Sequence, residues 1–365
     1  MKVPFVDLSI QYESIKEELE GAFAKVFEQS QFIGGDPVRS FEKEFADYLG
    51  VEYCISCGNG TDALEIALKA LGVGSGDEVI VPANSWISTA EAVSNVGGNP
   101  IFIDVSKETY NLDLTLLPKV MTEKTKGIIA VHLAGCPADL PEIMDFAEDR
   151  DLFVVEDCAQ AHGASIAGKK VGAFGDVAAF SFYPTKNLGA YGDAGAVVTE
   201  NDDLAERIRR LSNHGALNKH DHLFPGRNSG LDTLQAAFLS TKLKYLDTWN
   251  EKRRQIARWY QEYLPDQCKY SVPRNNHHHV YHLMIIEVEE RNDLQAFLKE
   301  KGVQTSVHYP TPIPHTDAYA SKMLIDNDYA VSRRLSNHSL SLPMFPELSV
   351  DQVRYVCASI SEFYN

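Results

Sequence analysis

A single lysine, Lys186, stands between an apolar run and a glycine-rich turn in the segment FSFYPTKNLGAYGDAGA, residues 180–196. Desolvation disfavours the charged form of an amine, so a lysine held off the surface loses its proton more readily. A neutral amine can form a Schiff base with an aldehyde. Taken alone, the spacing is better explained by a solvated loop lysine. Asp157 ends the run FVVEDC, and Gln160 and His162 follow it in AQAHGA. A carboxylate at the end of a central strand points into the crevice where open α/β sheets bind ligands, and it can keep a pyridinium nitrogen protonated. By itself this pattern fits a helix N-cap or a buried ion pair better. Gly60 and Thr61 lead from YCISC into a helical pattern, which is either an anion site or a plain capped helix start. The same stretch matches the dinucleotide spacing as Gly58-x-Gly60-x-x-Ala63, with Asp77 placed for a ribose contact. Trp86 follows EVIVPA at the start of the next helical pattern, where an indole stacks on a flat ring or joins the core.

These groups need a scaffold that gathers strand ends. Apolar runs at 53–57, 78–83, 99–105, 127–133, 153–158, 177–182 and 195–200 alternate with helical patterns at 61–71, 86–96, 113–121, 139–149 and 202–212. Such alternation predicts a mostly parallel sheet covered on both faces. A helical stretch follows from about Thr233 to Leu264, closed by Pro265. Strand patterns at 280–289 and 302–309, with helix patterns at 291–301, 316–323, 326–335 and 349–363, predict a small α+β unit. The expected division is a large α/β domain over 1–248 and a small α+β domain over 249–365. On this scaffold the Gly60–Thr61 turn, Trp86, Asp157 with Gln160, and Ser181-x-x-x-x-Lys186 all fall at strand C-terminal ends. That is the order a pyridoxal phosphate site needs.

A chain of 365 residues has room for two domains and a large core. Its 44% hydrophobic and 23% charged residues are ordinary for a soluble globular protein. A formal net charge of −17 argues against nucleic acid and anionic membrane as partners. No apolar run reaches transmembrane length, and the opening MKVPFVDLSIQYESIKEELE has no signal-peptide core. Six cysteines make no disulfide framework, so free thiols in a reducing cytoplasm are expected. Cys54 and Cys57 have C-x-x-C spacing without a second pair at zinc-ligand spacing. His277, His278 and His279, with His282 nearby, read as a polar turn before VYHLMIIEVE; no metal is expected.

With these motifs the chain resembles the DegT/DnrJ/EryC1/StrS family of sugar aminotransferases, fold-type I pyridoxal phosphate enzymes that aminate nucleotide-linked keto sugars. The likeness covers nearly the full length. It includes PFVDL at 4–8, FIGGDPVRSFEKEFADYLG, GNGTDAL, EVIVPANSW, EDCAQAHGA, SFYPTKNLGAYGDAGA, GRNSGLDTLQAAFL and VHYPTPIPH. It implies Lys186 as the Schiff-base lysine, Asp157 against the pyridine nitrogen, Gln160 near the ring hydroxyl and Trp86 stacked on the ring. Gly60, Thr61 and Ser181 would bind the phosphate. Asn228 resembles an asparagine that reaches the phosphate from the neighbouring subunit, which implies a homodimer with shared sites.

The resemblance also implies L-glutamate as donor. It puts His308, Tyr309 and His315 near the sugar nucleotide, and His162, Tyr183 and Arg227 join them as substrate candidates. The loop 213–227 adds local positive charge through Lys219, His220, His222 and Arg227, although each alone reads as a solvated surface residue. The chain departs from the family where relatives commonly carry N-S-R-L-D and it has Gly230, and where Ala194 replaces a glycine after the lysine. The N-S-x-L-D-T-L-Q-A-A pattern and VHYP look more like members acting at C3 than at C4, which favours a dTDP- or UDP-linked 3-oxo sugar. The rival readings are a sugar 4-aminotransferase, an NAD-dependent oxidoreductase built on Gly58-x-Gly60-x-x-Ala63, and a non-catalytic cofactor-binding regulator. Dehydratase relatives carry histidine in place of the lysine, so Lys186 argues against that activity.

Overall fold

The computed structural model describes residues 1–320 and 328–365. Seven strands form its central sheet: β1 (Tyr53–Cys57), β2 (Glu78–Pro82), β3 (Asn99–Ile103), β4 (Thr125–Val131), β5 (Phe153–Asp157), β6 (Val177–Ser181) and β7 (Gly195–Thr199). Their spatial order is β1-β7-β6-β5-β4-β2-β3. The pairs β2–β3, β2–β4, β4–β5 and β5–β6 are parallel, and β7 runs antiparallel to both β6 and β1. All strands but β7 therefore deliver their C-terminal ends to one edge of the sheet. The strands are near-continuous Val, Ile and Ala runs because both faces are covered; every residue of β2 and β7 is buried.

On one face lies the helix Asp36–Leu49, whose Phe41 and Phe45 pack with Phe180 and Phe182. On the other lie Gly60–Ala70, Ser88–Asn95 and Asp202–Ser212. Side chains alternate across a strand, which decides the fate of the C-x-x-C pair. Cys54 and Cys57 stand on β1 in the two different cores, on opposite faces of the sheet. They cannot meet, and burial pushes both thiols above their ordinary pKa.

A second core surrounds a three-stranded antiparallel sheet of Lys269–Tyr270, Met284–Glu287 and Ser339–Leu342. The helices Leu246–Tyr263 and Val350–Tyr364 cover it with Ile256, Tyr260, Val356 and Ile360. Val3 belongs to this core too: its N–H donates to the Gly302 carbonyl, and Gln304 N–H donates to the Val3 carbonyl.

The C-terminal elements depart from the pattern-based expectation. The helix expected over 233–264 is two, Thr233–Leu243 and Leu246–Tyr263. The break follows Lys242, a buried lysine whose Nζ donates to the Gly189 carbonyl. Residues 302–309 form no strand. They make only single bridges, Val303 to Val3 and Ser306 to Ser341 of the second sheet, because the chain turns inward to carry His308 and Tyr309 into a cavity. The helices expected at 316–323 and 326–335 lie partly outside the described residues; the described helix is Ala330–His338.

Candidate active site

A cavity of about 710 Å³ opens at the C-terminal edge of the central sheet. Its floor is built from residues that follow β2, β4, β5 and β6, the place where open α/β sheets bind ligands. The segment 306–310 and His282 close one side.

One end is an anion cradle. The helix Gly60–Ala70 points its N-terminus into the cavity, with Asn59 capping it by accepting from Asp62 N–H. Free backbone N–H groups and the helix dipole favour negative charge there. Thr61 Oγ1 lies 2.8 Å from Ser88 Oγ, and Ser181 Oγ stands across from it on β6. Glycine is required at 60 because a Cβ there would come within 2.6 Å of Ser181 Cβ. The backbone can thus approach whatever is bound. These donors suit a phosphate group.

The opposite end is acidic and buried. Asp157 ends β5 and is 6% exposed. Its Oδ2 accepts from Thr89 Oγ1 at 3.0 Å, and its Oδ1 accepts from Ala159 N–H at 3.2 Å. Burial raises its pKa, opposed by these two donors and by Lys186. Such a carboxylate needs a cationic or strongly donating partner on its cavity side, which a pyridinium N–H supplies. Trp86 stands at the cavity rim 59% exposed, its ring 5.8 Å from that of Tyr309. An indole left open beside the cavity suits a flat ligand ring. The residues present therefore fit pyridoxal phosphate.

Lys186 faces this space from the loop after β6. Its N–H donates to the Tyr183 carbonyl, forming the tight turn that projects the side chain. Its amine makes no hydrogen bond or ion pair among the described residues. Burial lowers its pKa to about 8, and Asp157 opposes the shift. The amine therefore becomes nucleophilic far nearer neutrality than an ordinary lysine. For the cofactor-free protein, the rate of covalent capture of pyridoxal phosphate is expected to rise with pH and level off above about 8. Stopped-flow absorbance measures it; a midpoint near the ordinary value of 10.5 would contradict the buried setting.

Of the other candidates, Gln160, Tyr183, His308 and Tyr309 line the cavity. Gln160 Oε1 accepts from Ala134 N–H at 2.6 Å, and its Nε2 donates to Tyr309 Oη at 3.1 Å, so it couples the floor to the closing segment. His308 Nδ1 sits 2.8 Å from Ser341 Oγ, and burial lowers its pKa to about 4. Four candidates do not line it. His162 is fully buried against Phe180 and Phe182 behind the floor, and burial holds it neutral with a pKa of about 3. Arg227 pairs with Asp62 and Glu65 on the helix Gly60–Ala70. His315 turns to the ring of Tyr329. Asn228 is exposed beside the β-bridge to Asn213. The dinucleotide reading fails on topology: β1 is an edge strand, and Asp77 precedes β2 at the end of the sheet away from the cavity, where it accepts from Gly74 N–H.

Two supporting groups had no local signature. Thr89 positions Asp157 from a helix 68 residues earlier. Glu156, fully buried, accepts from Gly172, Phe174 and Gly175 N–H and from His132 Nε2. His132 Nδ1 accepts from Ala138 N–H, which leaves the proton on Nε2. Glu156 and His132 spend their lone pairs on these bonds and lock β5 in place, and burial pushes the neighbouring Cys158 thiol well above its ordinary pKa, so the three are poor ligands for a metal.

Gly230 lies in open space: a Cβ there meets nothing within 4 Å, and its φ is not in the left-handed region. Gly230→Ala is expected to fold normally and to be more stable by about 0.4–1 kcal/mol, because it restricts the unfolded chain. Thermal denaturation checks this; a loss of stability would mean that the backbone there needs glycine.

Known proteins match this chain over nearly its full length. The model of the DegT/DnrJ/EryC1/StrS aminotransferase family matches residues 13–361. A pleiotropic regulatory protein of Geobacillus stearothermophilus is 44% identical over 368 aligned residues, covering 100% of this chain and 99% of that protein. The dTDP-3-amino-3,6-dideoxy-alpha-D-galactopyranose transaminase of Aneurinibacillus thermoaerophilus is 41% identical, covering 99% of each. The crystal structure of S. venezuelae DesV in complex with a ketimine intermediate superposes with a TM-score of 0.97 at 39% identity, over 99% of this chain and 98% of that one.

Proposed function

Because the chain belongs to the DegT/DnrJ/EryC1/StrS aminotransferase family, we propose that it moves an amino group from L-glutamate to a nucleotide-linked keto sugar, a dTDP- or UDP-linked 3-oxo sugar, with pyridoxal 5'-phosphate as cofactor. The observation that carries the reading is one cavity holding Lys186, Asp157 and the N-terminus of the helix Gly60–Ala70. When bound, the cofactor supplies a reactive aldehyde and an electron-accepting pyridinium ring. Gly60 N–H, Thr61 and Ser181 hold its phosphate. Asp157 keeps the ring nitrogen protonated, with Thr89 and Ala159 orienting the carboxylate. Trp86 covers the ring, and Gln160 stands at its edge with Tyr309. Lys186 would take the proton from the donor's α-carbon and hold it for return, and in the sugar half-reaction would move a proton in the opposite sense. Tyr183, His308 and Tyr309 line the same cavity and face the sugar nucleotide.

We further propose a homodimer with shared sites. Asn228 does not line the cavity of its own chain, which leaves it available to a second copy. Phe23, Phe27, Phe32 and the 75% exposed Ile33 form an open apolar patch of the kind subunit contacts cover. Residues 1–248 and 249–365 are proposed as the two domains, with Val3 crossing back into the second core. The six cysteines are all free, which supports a reducing cytoplasm. Among the described residues no helix is long and apolar enough to cross a membrane.

The test is direct. Purified protein is incubated with glutamate and a panel of dTDP- and UDP-linked 3-oxo and 4-oxo sugars, and products are read by mass spectrometry. A mass gain for amination of a 3-oxo sugar, together with a borohydride-fixed label on Lys186, supports the reading. Cofactor binding without turnover of any sugar would favour a regulator, the reading that the Geobacillus relative makes worth testing. Amination only of 4-oxo sugars would correct the position.

A further inference from the structure

We propose that His282 is a specificity residue of the amination site, whose Nε2 accepts a hydrogen bond from a sugar hydroxyl on a carbon next to the reacting carbonyl. This rests on the aminotransferase reading and adds to it one named sugar contact. The case begins at Asn187, the neighbour of Lys186, which is 3% exposed. Its Nδ2 donates to the Val280 carbonyl at 3.1 Å and to Asn250 Oδ1 at 2.8 Å. A backbone carbonyl only accepts, so the amide nitrogen must face it. Asn187 Oδ1 then faces His282 Nδ1, at 3.1 Å. An amide oxygen only accepts, so His282 Nδ1 carries a hydrogen. The Asn250 amide is fixed in the same way, because its Nδ2 donates to the His162 carbonyl.

Burial and the nearby charges of Lys186 and Arg253 push the His282 pKa well below its ordinary value. The ring is therefore neutral, and with Nδ1 protonated its Nε2 is a bare acceptor. The ring lines the cavity with Lys186, Ser306 and His308. Nε2 has no hydrogen-bond partner among the described residues. The backbone behind the ring is held as well, since Arg253 Nη1 donates to the carbonyls of Tyr281, His282 and Met344. A fixed ring with a lone acceptor selects ligand groups that donate. Glutamate carboxylates and nucleotide phosphates do not; sugar hydroxyls do, as do the glutamate amine and the base N–H, which the half-reactions and deoxy sugars below separate from them. The ring is tied to the residue beside Lys186, which sets the hydroxyl it meets close to the carbon that Lys186 serves.

Two variants split the ring into its halves. His282→Asn keeps an N–H for Asn187 and deletes the cavity acceptor. His282→Gln returns an amide oxygen near the Nε2 position and gives up the link to Asn187. With a dTDP-linked 3-oxo-6-deoxyhexose, His282→Asn is expected to lower kcat/KM about 10- to 100-fold, the effect of one lost hydrogen bond in a desolvated site. The loss in the glutamate half-reaction should be at least about tenfold smaller than this, and His282→Gln should recover part of the sugar half-reaction. Of the 2-deoxy and 4-deoxy forms of the same sugar, one should be turned over equally by wild type and His282→Asn. Equal losses in both half-reactions, or a His282→Asn effect that survives in both deoxy sugars, overturn the proposal. Nitrogen-15 NMR of histidine-labelled protein gives a readout without turnover. The Nε2 resonance of His282, unprotonated in the free protein, should move on adding the dTDP-linked sugar. An unmoved resonance in a protein that does aminate the sugar overturns the contact and leaves the aminotransferase reading standing. A wild type that aminates no sugar overturns that reading instead.

Discussion

Lys186→Ala is expected to lower glutamate-dependent amination by more than about 10³-fold and to abolish the borohydride-fixed label. Two losses combine. The nucleophile that holds the cofactor covalently disappears, and so does the group that carries the proton at the reacting carbon, which alone contributes about 10²- to 10⁴-fold. Lys186→Arg should be as inactive, because a guanidinium keeps its charge and cannot serve as a neutral nucleophile. The fold should not suffer. The turn is closed by backbone atoms, Lys186 N–H to the Tyr183 carbonyl and Ala190 N–H to the Phe182 carbonyl. The linkage sign favours the variant. The native amine releases its proton near 8, whereas an unfolded lysine does so near 10.5. Below about pH 8 the native state carries a charge that its burial disfavours, so stability rises with pH between these values. Replacing Lys186 by alanine removes that cost. The variant without cofactor should melt at or above the wild-type temperature at pH 7, and its advantage should shrink between pH 8 and 10.5. Half or more of the wild-type rate in Lys186→Ala would sink the proposed chemistry; a melting temperature well below wild type at pH 7 would show the lysine to be structural.

The central sheet was legible because its strands are buried on both faces. A strand such as EVIVP has no solvent side, so its apolar run marks its limits, and β2 begins at Glu78 as the run does. The reversed direction of β7 was not legible, since GAVVT reads the same in either sense. The cavity wall follows the same division. Lys186, Asp157, Gly60, Thr61 and Ser181 lie where a strand ends or a helix begins, and strand ends can be read locally. Thr89 and Asn187 act through side chains 68 and 95 residues from their partners, a pairing that only the fold creates. His162 shows the opposite error. Its place beside Asp157 and Gln160 in AQAHGA suggested a ligand contact, yet the turn after β5 carries it behind Phe180 and Phe182. Arg227 had charge to offer an anion, but Asp62 and Glu65 take its guanidinium.

Asp157→Asn is expected to lower kcat about 10²- to 10³-fold, the scale seen when one charge-stabilising group is taken from a desolvated site. The substitution nearly preserves shape. The amide oxygen can still accept from Ala159 N–H, and the amide nitrogen then faces Thr89 Oγ1. Thr89 tolerates this reversal because its own hydrogen can turn to Ser85 Oγ, 2.8 Å away. What the variant lacks is the negative charge, and with it the means to keep a pyridine nitrogen protonated while electrons arrive from the donor carbon. The deficit belongs to the chemical step, so kcat should fall while the KM for the sugar nucleotide stays within about twofold. Single-turnover absorbance with glutamate alone should show the same loss, since the charge serves both halves of the reaction. Asp157→Ala differs: Thr89 can still turn to Ser85 Oγ, but the Ala159 N–H loses its acceptor, a cost of about 1–3 kcal/mol in stability on top of the lost activity. The contrast separates the two tasks of the carboxylate. A full-rate Asp157→Asn would mean that burial of the ring nitrogen matters more than its proton, and the role drawn from the 3.0 Å and 3.2 Å contacts would then be orientation alone.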